Sequence, residues 1–557
     1  MGDRHVVPNS SLESPLLAFG SRDQNDDVGT RSGLDLSDEN DVERVRPGDT
    51  ASSDDPTTSN VLAPGTLSFK AGVAICCADI IGSGIFASPG IVLKWTGSVG
   101  AALLAWTIAG VITYVGFACL AELSVLDPNA GGLFYYARVA FGSATAFSWT
   151  FTNFTVIVPG SLGALALTFA HYLCSAVPGW EAGGFQENAD WKVQLVAVAA
   201  IAAAAALNCL SAAHGGSVAK VFLTATLLGC VFVFALGIVG AMGWGNDGVG
   251  DAMDITTNAT ANATAPQYPS SAAFENFNPH RLWTGTRNIS SLGVGLISAL
   301  WAFSGAMGVA SMGEELRDPQ RTLPRVGMTG LAIVSTVYIS LNVAYLLVLP
   351  AAAIANPENG SSAMGVEFAK AVAGGWAGFV VTIVVAMSSF GALNSCMYLN
   401  ARQFYATARD GFFPKALAMT NERKAPHVAI VAVAFWTAVL TCAMSSFVTL
   451  VNYLSCAMWL YYGLVGVAVF KSRVTYPDVE RPYEVPGWPV VPFFFIIACV
   501  YLSACTFAAS PLECGCALLF VATAFPVHEF MFVWWPARAG RAVQVGGGGS
   551  DVDDDEL

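Results

Sequence analysis

The chain has 557 residues, of which 54% are hydrophobic and 12% are charged, and its formal net charge is −14. Soluble chains carry about a quarter charged residues, so this composition excludes a large water-soluble protein. The acidic residues are concentrated towards the two ends, so the net charge does not point to a basic partner, and no nucleic-acid partner is expected.

Apolar runs of about 20 residues, the length that crosses a bilayer, recur along the middle of the chain. Twelve membrane helices are expected, at about 71–93, 98–121, 143–174, 191–210, 218–242, 292–311, 327–349, 373–401, 427–445, 448–470, 490–509 and 515–535. Residues 1–62 and 537–557 lack apolar periodicity, and we expect disordered acidic tails there. Residues 63–536 then form one all-α polytopic membrane domain.

Basic residues fall in alternate connectors, which the positive-inside rule assigns to the cytoplasm together with both tails. The other connectors hold the sequons at Asn258, Asn262, Asn288 and Asn359, which predicts a glycoprotein. The chain starts without a cleavable signal pattern, so the first span is expected to direct insertion.

Thirteen cysteines, an odd number, lie mostly within the predicted spans and support no disulfide framework. We expect free thiols; a bridge between Cys514 and Cys516, which flank the last outer connector, is the alternative. No Cys/His cluster has the spacing of a metal site, and no catalytic motif stands in a suitable context. Neither an enzyme nor a metal or organic cofactor is expected.

The first span is interrupted by Gly82, Ser83 and Gly84. Glycine weakens a helix interior, and backbone freed at membrane depth is tolerated only where it lines a buried or wet cavity. Broken membrane helices of this kind hold the substrate in many transporters. The break therefore predicts solute transport.

Several motifs resemble the L-type amino-acid transporters of the amino acid–polyamine–organocation superfamily. They are IIGSGIFASPG at 80–90, GSVG at 97–100, AEL at 121–123, GG at 131–132, WAFSG at 301–305, GEELRDPQRTLP at 313–324, FGALNS at 390–395, RQFY at 402–405, RDG at 409–411 and RPYEVP at 481–486. The resemblance implies a leucine-transporter-like fold with two inverted five-helix repeats, at about 71–242 and 292–470. Two further helices follow at about 490–535.

The same resemblance implies a substrate site at paired breaks in spans 1 and 6. Its expected residues are Ile80, Ile81, Gly82, Ser83 and Gly84 in span 1, and Trp301, Phe303, Ser304, Gly305 and Met307 in span 6. By the resemblance, the amides of Ser83 and Gly84 bind the substrate carboxylate. The carbonyls of Ile80 and of span 6 near Trp301 take the ammonium, and Trp301 is the outer gate. The alternative is that these small residues only allow close helix packing.

The substrate class follows from the span 6 pocket, where cationic amino-acid carriers of the superfamily often place a carboxylate. This chain has Ser304 there, with Trp301, Phe303, Ala306 and Met307 around it. We expect neutral, apolar L-amino acids. A cationic amino-acid or polyamine carrier is the alternative within transport, and an amino-acid sensor with the same fold is the alternative of another class.

An ionisable residue at membrane depth is costly, and Asp79 beside the first break is one. The family's fifth-span Lys is replaced here by Thr226. We expect Asp79, Thr226 and Ser388 or Ser389 to bind H⁺ or Na⁺, and uptake to rise with an inward gradient of that ion. A proton is preferred, because burial favours the neutral form of a carboxyl. The alternative is a structural aspartate.

Many animal L-type carriers are joined to a heavy subunit through a Cys in the loop between spans 3 and 4. That loop, about residues 175–190, contains no Cys, although Cys174 directly precedes it. We therefore expect a carrier without a heavy subunit, in the plasma membrane or alternatively in a vacuolar or lysosomal membrane. At the inner face, we expect the loop at 317–325 to be a solvated connector; the alternative is that Glu314 and Glu315 pair with nearby arginines and latch the inward gate.

Overall fold

The computed structural model describes residues 65–82, 84–126, 132–177, 190–210, 212–242, 272–285, 288–355, 364–444 and 447–534. Both predicted tails lie outside these ranges, as do Ser83 and the sequons at Asn258, Asn262 and Asn359. Asn288 is described and begins a helix.

The described chain is helical, with one isolated β-bridge between Leu67 and Leu316. The α-helices are α1 Phe69–Ile80, α2 Gly84–Thr96, α3 Val99–Leu126, α4 Leu133–Phe141, α5 Ser143–Thr152, α6 Val158–Ser175, α7 Trp191–Leu210, α8 Ala212–Ala241, α9 Ala272–Asn276, α10 Ile289–Ala302, α11 Pro319–Val348, α12 Ala351–Ala355, α13 Met364–Ala373, α14 Gly375–Arg409, α15 His427–Ala443, α16 Phe447–Thr475, α17 Val490–Ala509 and α18 Pro511–His528. A π-helix, Asn153–Ile157, joins α5 to α6, and another, Glu529–Trp534, follows α18. Two 3₁₀ helices, Ala306–Glu315 and Lys415–Ala418, complete the set.

Ten helical segments in the described residues are long and apolar enough to cross a membrane. The predicted first span is absent from that group because it is divided into α1 and α2. The predicted ninth span corresponds to α15, an apolar helix of 17 residues. The expected all-α membrane fold is thus confirmed.

Two helices that border the site begin at side-chain caps. The Ser68 hydroxyl accepts a hydrogen bond from the amide of Ala71 at the start of α1. The Asn288 side chain accepts one from the amide of Ser291 at the start of α10, at 3.0 Å. Each cap satisfies an amide that has no partner within its helix.

The buried apolar side chains form two main groups. The larger contains residues of α1, α3, α11, α13 and α16, while the second fills the space between α6, α7, α14 and α15. Helix α1 packs against α8, α11 and α14, and α10 packs against α2 and α3. The two halves of the interrupted first span are therefore held by different neighbours.

Ion pairs connect the helix ends on one side of the bundle. Glu122, at the end of α3, accepts two hydrogen bonds of 2.8 Å from Arg473 of α16 and one from the amide of Val485. Glu314 pairs with Arg409 at 2.7 Å.

The most deeply buried pair joins Glu315 to Arg402 of α14. The Glu315 carboxylate also accepts a hydrogen bond from the Tyr398 hydroxyl at 2.7 Å, and Arg402 donates to the Tyr398 carbonyl at 2.9 Å. Both carboxylates thus pair with arginines of α14, Glu315 with the buried Arg402 and Glu314 with the partly exposed Arg409.

Replacing Glu315 with Gln leaves the Arg402 guanidinium buried without its counter-ion. An uncompensated buried charge costs about 3–5 kcal/mol of stability. We expect a large fall in the Tm of the purified protein in detergent. Glu275→Gln is the matched control, because its pair with Arg281 is exposed and spans 3.8 Å, and such pairs contribute less than about 1 kcal/mol. Equal shifts in the two variants would contradict this prediction.

Candidate functional site

The first span is interrupted between Ile80, where α1 ends, and Gly84, where α2 begins. A Cβ on Gly84 would lie 2.6 Å from the Cα of Ala302, so a larger residue cannot pack here without moving α10. The substrate-binding role of the Ser83 amide stays a prediction, since Ser83 is not among the described residues.

The sixth span is interrupted after Ala302, where α10 ends and the chain turns into the 3₁₀ helix at 306–315. Gly305 adopts a left-handed conformation with φ of 100°. A Cβ there would lie 2.6 Å from Oδ2 of Asp79. Both the backbone angle and this close approach require glycine. The break of span 6 therefore lies directly against the last turn of α1.

Tyr338 of α11 connects the two breaks. Its hydroxyl oxygen lies 2.9 Å from the carbonyl oxygen of Ile80 and 2.8 Å from that of Ala302. One hydroxyl proton serves one acceptor at a time, so the two helix ends share it. The ring packs edge-on against Trp106 and Phe303. The sequence analysis missed this residue, whose one signal was a phenol inside an apolar span.

A cavity of about 900 Å³, including its opening to solvent, lies between the breaks and helices α6, α14 and α16. The predicted substrate residues that line it are Ile80, Gly82, Gly84, Trp301, Ser304, Gly305 and Met307. The other two described members of that set lie elsewhere. The Ile81 carbonyl accepts a hydrogen bond from Ser388, and the Phe303 ring packs on Tyr338.

The span 6 pocket is therefore less apolar than expected. Phe303 and Ala306 border a smaller neighbouring space beside Phe495. Phe303 turns away from the cavity because its ring fills the gap between Trp106 and Tyr338.

Polar side chains from other spans also reach the cavity, and the sequence analysis did not assign them to it. Asn153 begins the π-helix between α5 and α6, and its amide donates to Gln403 Oε1 of α14 at 3.0 Å. Single π turns are frequent at functional sites because they re-aim a side chain. Asn400 lines the same wall. The sequence feature that could have identified these residues is a side-chain amide inside an otherwise apolar span.

Two of the four predicted ion-coupling residues lie at the break of span 1. Asp79 faces Gly305 and the cavity. The Ser388 hydroxyl lies 3.0 Å from the Ile81 carbonyl and 3.3 Å from that of Gly82.

The other two are not hydrogen-bonded to Oδ1 of Asp79 in the described residues. Ser389 donates to Val385 within its own helix at 2.9 Å. Thr226 is buried on α8, and in the described part of the chain it makes no hydrogen bond to Asp79 or Ser388.

Tyr338→Phe removes the hydroxyl that the two helix ends share. We expect a loss of about 1–3 kcal/mol, because a buried carbonyl is left without a donor. Thermal unfolding in detergent measures the loss. Tyr501→Phe is the control, since its hydroxyl also donates to a carbonyl, that of Ile289 at 2.8 Å, but at an exposed position. A loss no larger than in the control would show that Tyr338 does not hold the breaks.

Comparison with known proteins agrees with this architecture. The family model described as amino acid permease matches residues 67–536. The chain is 30% identical over 500 residues to mouse b(0,+)-type amino acid transporter 1, covering 89% of this chain and 93% of that protein.

Two human proteins are similar over nearly the same length. Identity to large neutral amino acids transporter small subunit 2 is 28% over 506 residues, covering 89% of this chain and 86% of that protein. Identity to the cystine/glutamate transporter is 27% over 464 residues, covering 83% and 84%. The resemblance to L-type carriers is thus confirmed, and the chain belongs to the amino acid permease family, as a membrane transporter rather than an enzyme.

Proposed function

We propose that this protein carries neutral, apolar L-amino acids across a membrane by alternating access. The observation that supports the proposal is the pair of helix breaks that face one cavity, with Tyr338 between their carbonyl ends. Helix α2 begins at Gly84 on the cavity wall. Its positive end suits the carboxylate of an amino acid. Trp301, Met307 and Leu165 supply apolar surface for a side chain.

A second candidate, a carrier of cationic amino acids or polyamines, is favoured by one observation. The Asp79 carboxyl lines the cavity, although span 6 contributes no acid there. We retain neutral substrates as the main proposal because a cationic side chain needs a carboxylate in addition to the groups that hold its α-ammonium. The name of the human relative, which refers to large neutral amino acids, supports the same choice.

Uptake by proteoliposomes tests the proposal. We expect saturable leucine uptake that excess arginine does not suppress. Trp301→Ala should reduce it at least about tenfold, as expected for loss of a buried aromatic contact. Trp376→Ala is the control, since Trp376 is 61% exposed on α14. Stronger uptake of arginine than leucine would favour the second candidate. Leucine binding without flux would favour an amino-acid sensor.

We propose further that H⁺, rather than Na⁺, is the coupling ion and that it acts through Asp79. A sodium site needs several oxygen ligands, whereas the nearby carbonyls of Ile80, Ile81 and Gly82 already accept hydrogen bonds from Tyr338 and Ser388. A proton needs the carboxyl alone. This proposal keeps Asp79 from the predicted ion site, and the roles of Thr226, Ser388 and Ser389 stay predictions.

Leucine uptake is therefore expected to change with a pH gradient across the liposome and not with a Na⁺ gradient. Asp79→Asn should make uptake insensitive to pH gradients while leaving leucine/leucine exchange measurable. Initial rates under imposed gradients provide the measurement. If wild-type uptake ignores both gradients, the chain is a plain exchanger.

We also propose that the carrier works without a disulfide-linked heavy subunit, in a plasma membrane with cytoplasmic termini. Cys174 supports this, because its thiol is buried within α6. The membrane could alternatively be vacuolar or lysosomal. Non-reducing electrophoresis of the protein from its native membrane tests the first point. A mobility shift on reduction that Cys174→Ser abolishes would contradict it.

A further inference from the structure

The carboxyl of Asp79 lies in the cavity wall, and no described Lys or Arg forms an ion pair with it. Asp79 is 7% exposed, and its Oδ1 has no hydrogen-bond partner among the residues that the structure describes. Its Oδ2 is directed at the Cα of Gly305, which carries no side chain. None of the described residues that line the cavity is a Lys or an Arg. The arginine on the neighbouring stretch of α14, Arg402, is paired with Glu315.

The carbonyl ends of two helices make the electrostatic potential around Asp79 more negative. Helix α1 ends one residue later, and α10 ends at Ala302, so the partial negative charges of both carbonyl ends meet there. A carboxylate at this point is unfavourable because it is buried and close to two helix C-termini, although the starts of α2 and of the 3₁₀ helix after Gly305 also bring amides there. An ionised carboxyl of this kind requires a cation beside it, and an unpaired one requires a proton.

Two of the carbonyls predicted to take the substrate ammonium already have a hydrogen-bond donor. The Ile80 carbonyl, which was expected to receive the ammonium, lies 2.9 Å from the Tyr338 hydroxyl. The carbonyl at the end of α10, that of Ala302, shares the same hydroxyl at 2.8 Å. The free carboxyl oxygen of Asp79 stands one residue before Ile80 and opens on the same cavity.

We propose that Asp79 is the receptor for the substrate ammonium and that a proton occupies its carboxyl when the cavity holds no substrate. The inference rests on the proposed transport function and deepens it. On binding, the ammonium forms a charge-assisted hydrogen bond with the carboxylate, and the carboxyl proton leaves to solution. Substrate and proton thus compete for one group.

In the described part of the chain, no other group that faces Asp79 from the elements packed around it competes for this proton at physiological pH. Those groups are thiols and phenols, which are neutral there. They are Cys76 on α1, Cys396 on α14 and Tyr462 on α16, with Tyr338 on α11 and Cys230 on α8 behind them. The carboxylates on the 3₁₀ helix, Glu314 and Glu315, are paired with arginines. Lys220 on α8 is exposed.

Competition determines the direction of coupling. The carrier crosses the membrane in one direction with the substrate ammonium on Asp79 and returns with a proton there. Each transport cycle therefore moves a proton in the direction opposite to the substrate. An acidic interior should therefore accelerate uptake into liposomes. This direction is the reverse of the symport expected from the sequence, which placed the ion in a site separate from the substrate.

The same geometry specifies which part of the substrate Asp79 recognises. A primary amine without a carboxylate should still bind, whereas a carboxylic acid without an amine should not. The matched pair for leucine is 3-methylbutylamine and 4-methylpentanoate, each of which keeps the branched apolar chain. We expect the amine to inhibit leucine binding at least about tenfold more strongly than the acid, the difference made by one charge-assisted hydrogen bond.

Proton release on binding is the decisive experiment. Leucine is added to the purified wild-type protein in weakly buffered detergent solution with a pH indicator dye, and its binding is measured in parallel. We expect release of about one proton per leucine bound at a pH where the empty carboxyl is protonated. Asp79→Asn should release none and bind leucine at least about tenfold more weakly. Asp478→Asn, at an exposed loop position, should behave like wild type.

The outcomes separate this inference from the proposed function. Leucine binding with proton uptake, or without any proton change between pH 5 and 8, would overturn the role of Asp79 and leave transport intact. Amine binding with proton release, but no leucine binding, would overturn the neutral amino-acid proposal and leave the role of Asp79 intact. The amine and acid comparison uses wild-type protein, so the test does not depend on the folding of the Asn variant.

Discussion

The structure depends on the meeting of two interrupted helices, because unpaired backbone groups at membrane depth must be satisfied by the protein or by a wet cavity. The C-terminal carbonyls of α1 and α10 share the hydroxyl of Tyr338. Ser388 donates to the freed carbonyls of span 1. The other groups at the two breaks face one cavity. The same constraint that would make these breaks destabilising in lipid thus concentrates polar groups at the centre of the bundle.

Close packing holds this centre in place. Gly84 lets α2 approach the end of α10, and Gly305 lets the 3₁₀ segment approach Asp79. On the side of the bundle where the arginines collect, Glu315 at the end of that segment is fixed to α14 by Arg402. The sixth span is therefore attached both at its break and at its end, while the first span is held by separate neighbours on each side of its own break. Such an arrangement allows the halves of a span to move independently during transport.

The sequence predicted the features that come from local chemistry. Apolar run lengths identified the membrane spans, and the glycines identified both breaks, since a break needs small residues at the point of interruption. Features that depend on tertiary packing were missed. The role of Tyr338 depends on two carbonyls from segments that are distant in the sequence. The hydrogen bond between Asn153 and Gln403 depends on a π turn, and no residue pattern predicts that turn. Phe303 was assigned to the substrate pocket, but the turn after α10 directs its ring away from the cavity, against Trp106 and Tyr338.

For Asp79, the sequence indicated that the residue is functional but did not identify what it contacts. Its cost at membrane depth marked it as functional, but its partners could not be read from spacing along the chain. In the fold, the carboxyl lines the same cavity as the predicted substrate groups. Asp79 was expected to bind a coupling ion apart from the substrate. Its position instead places its carboxyl in contact with the bound substrate. The central claim is therefore a direct contact between ligand and carboxyl.

Solid-state NMR on the protein in lipid bilayers measures this contact most directly. Leucine carrying ¹⁵N on its amino group is bound to protein with ¹³C at the aspartate carboxyl carbons, and the ¹⁵N–¹³C dipolar coupling is recorded. The account predicts one aspartate carbon within about 4 Å of the bound nitrogen, the distance set by a charge-assisted hydrogen bond. That signal should vanish in Asp79→Asn. Bound leucine with no aspartate carbon in range would contradict the account.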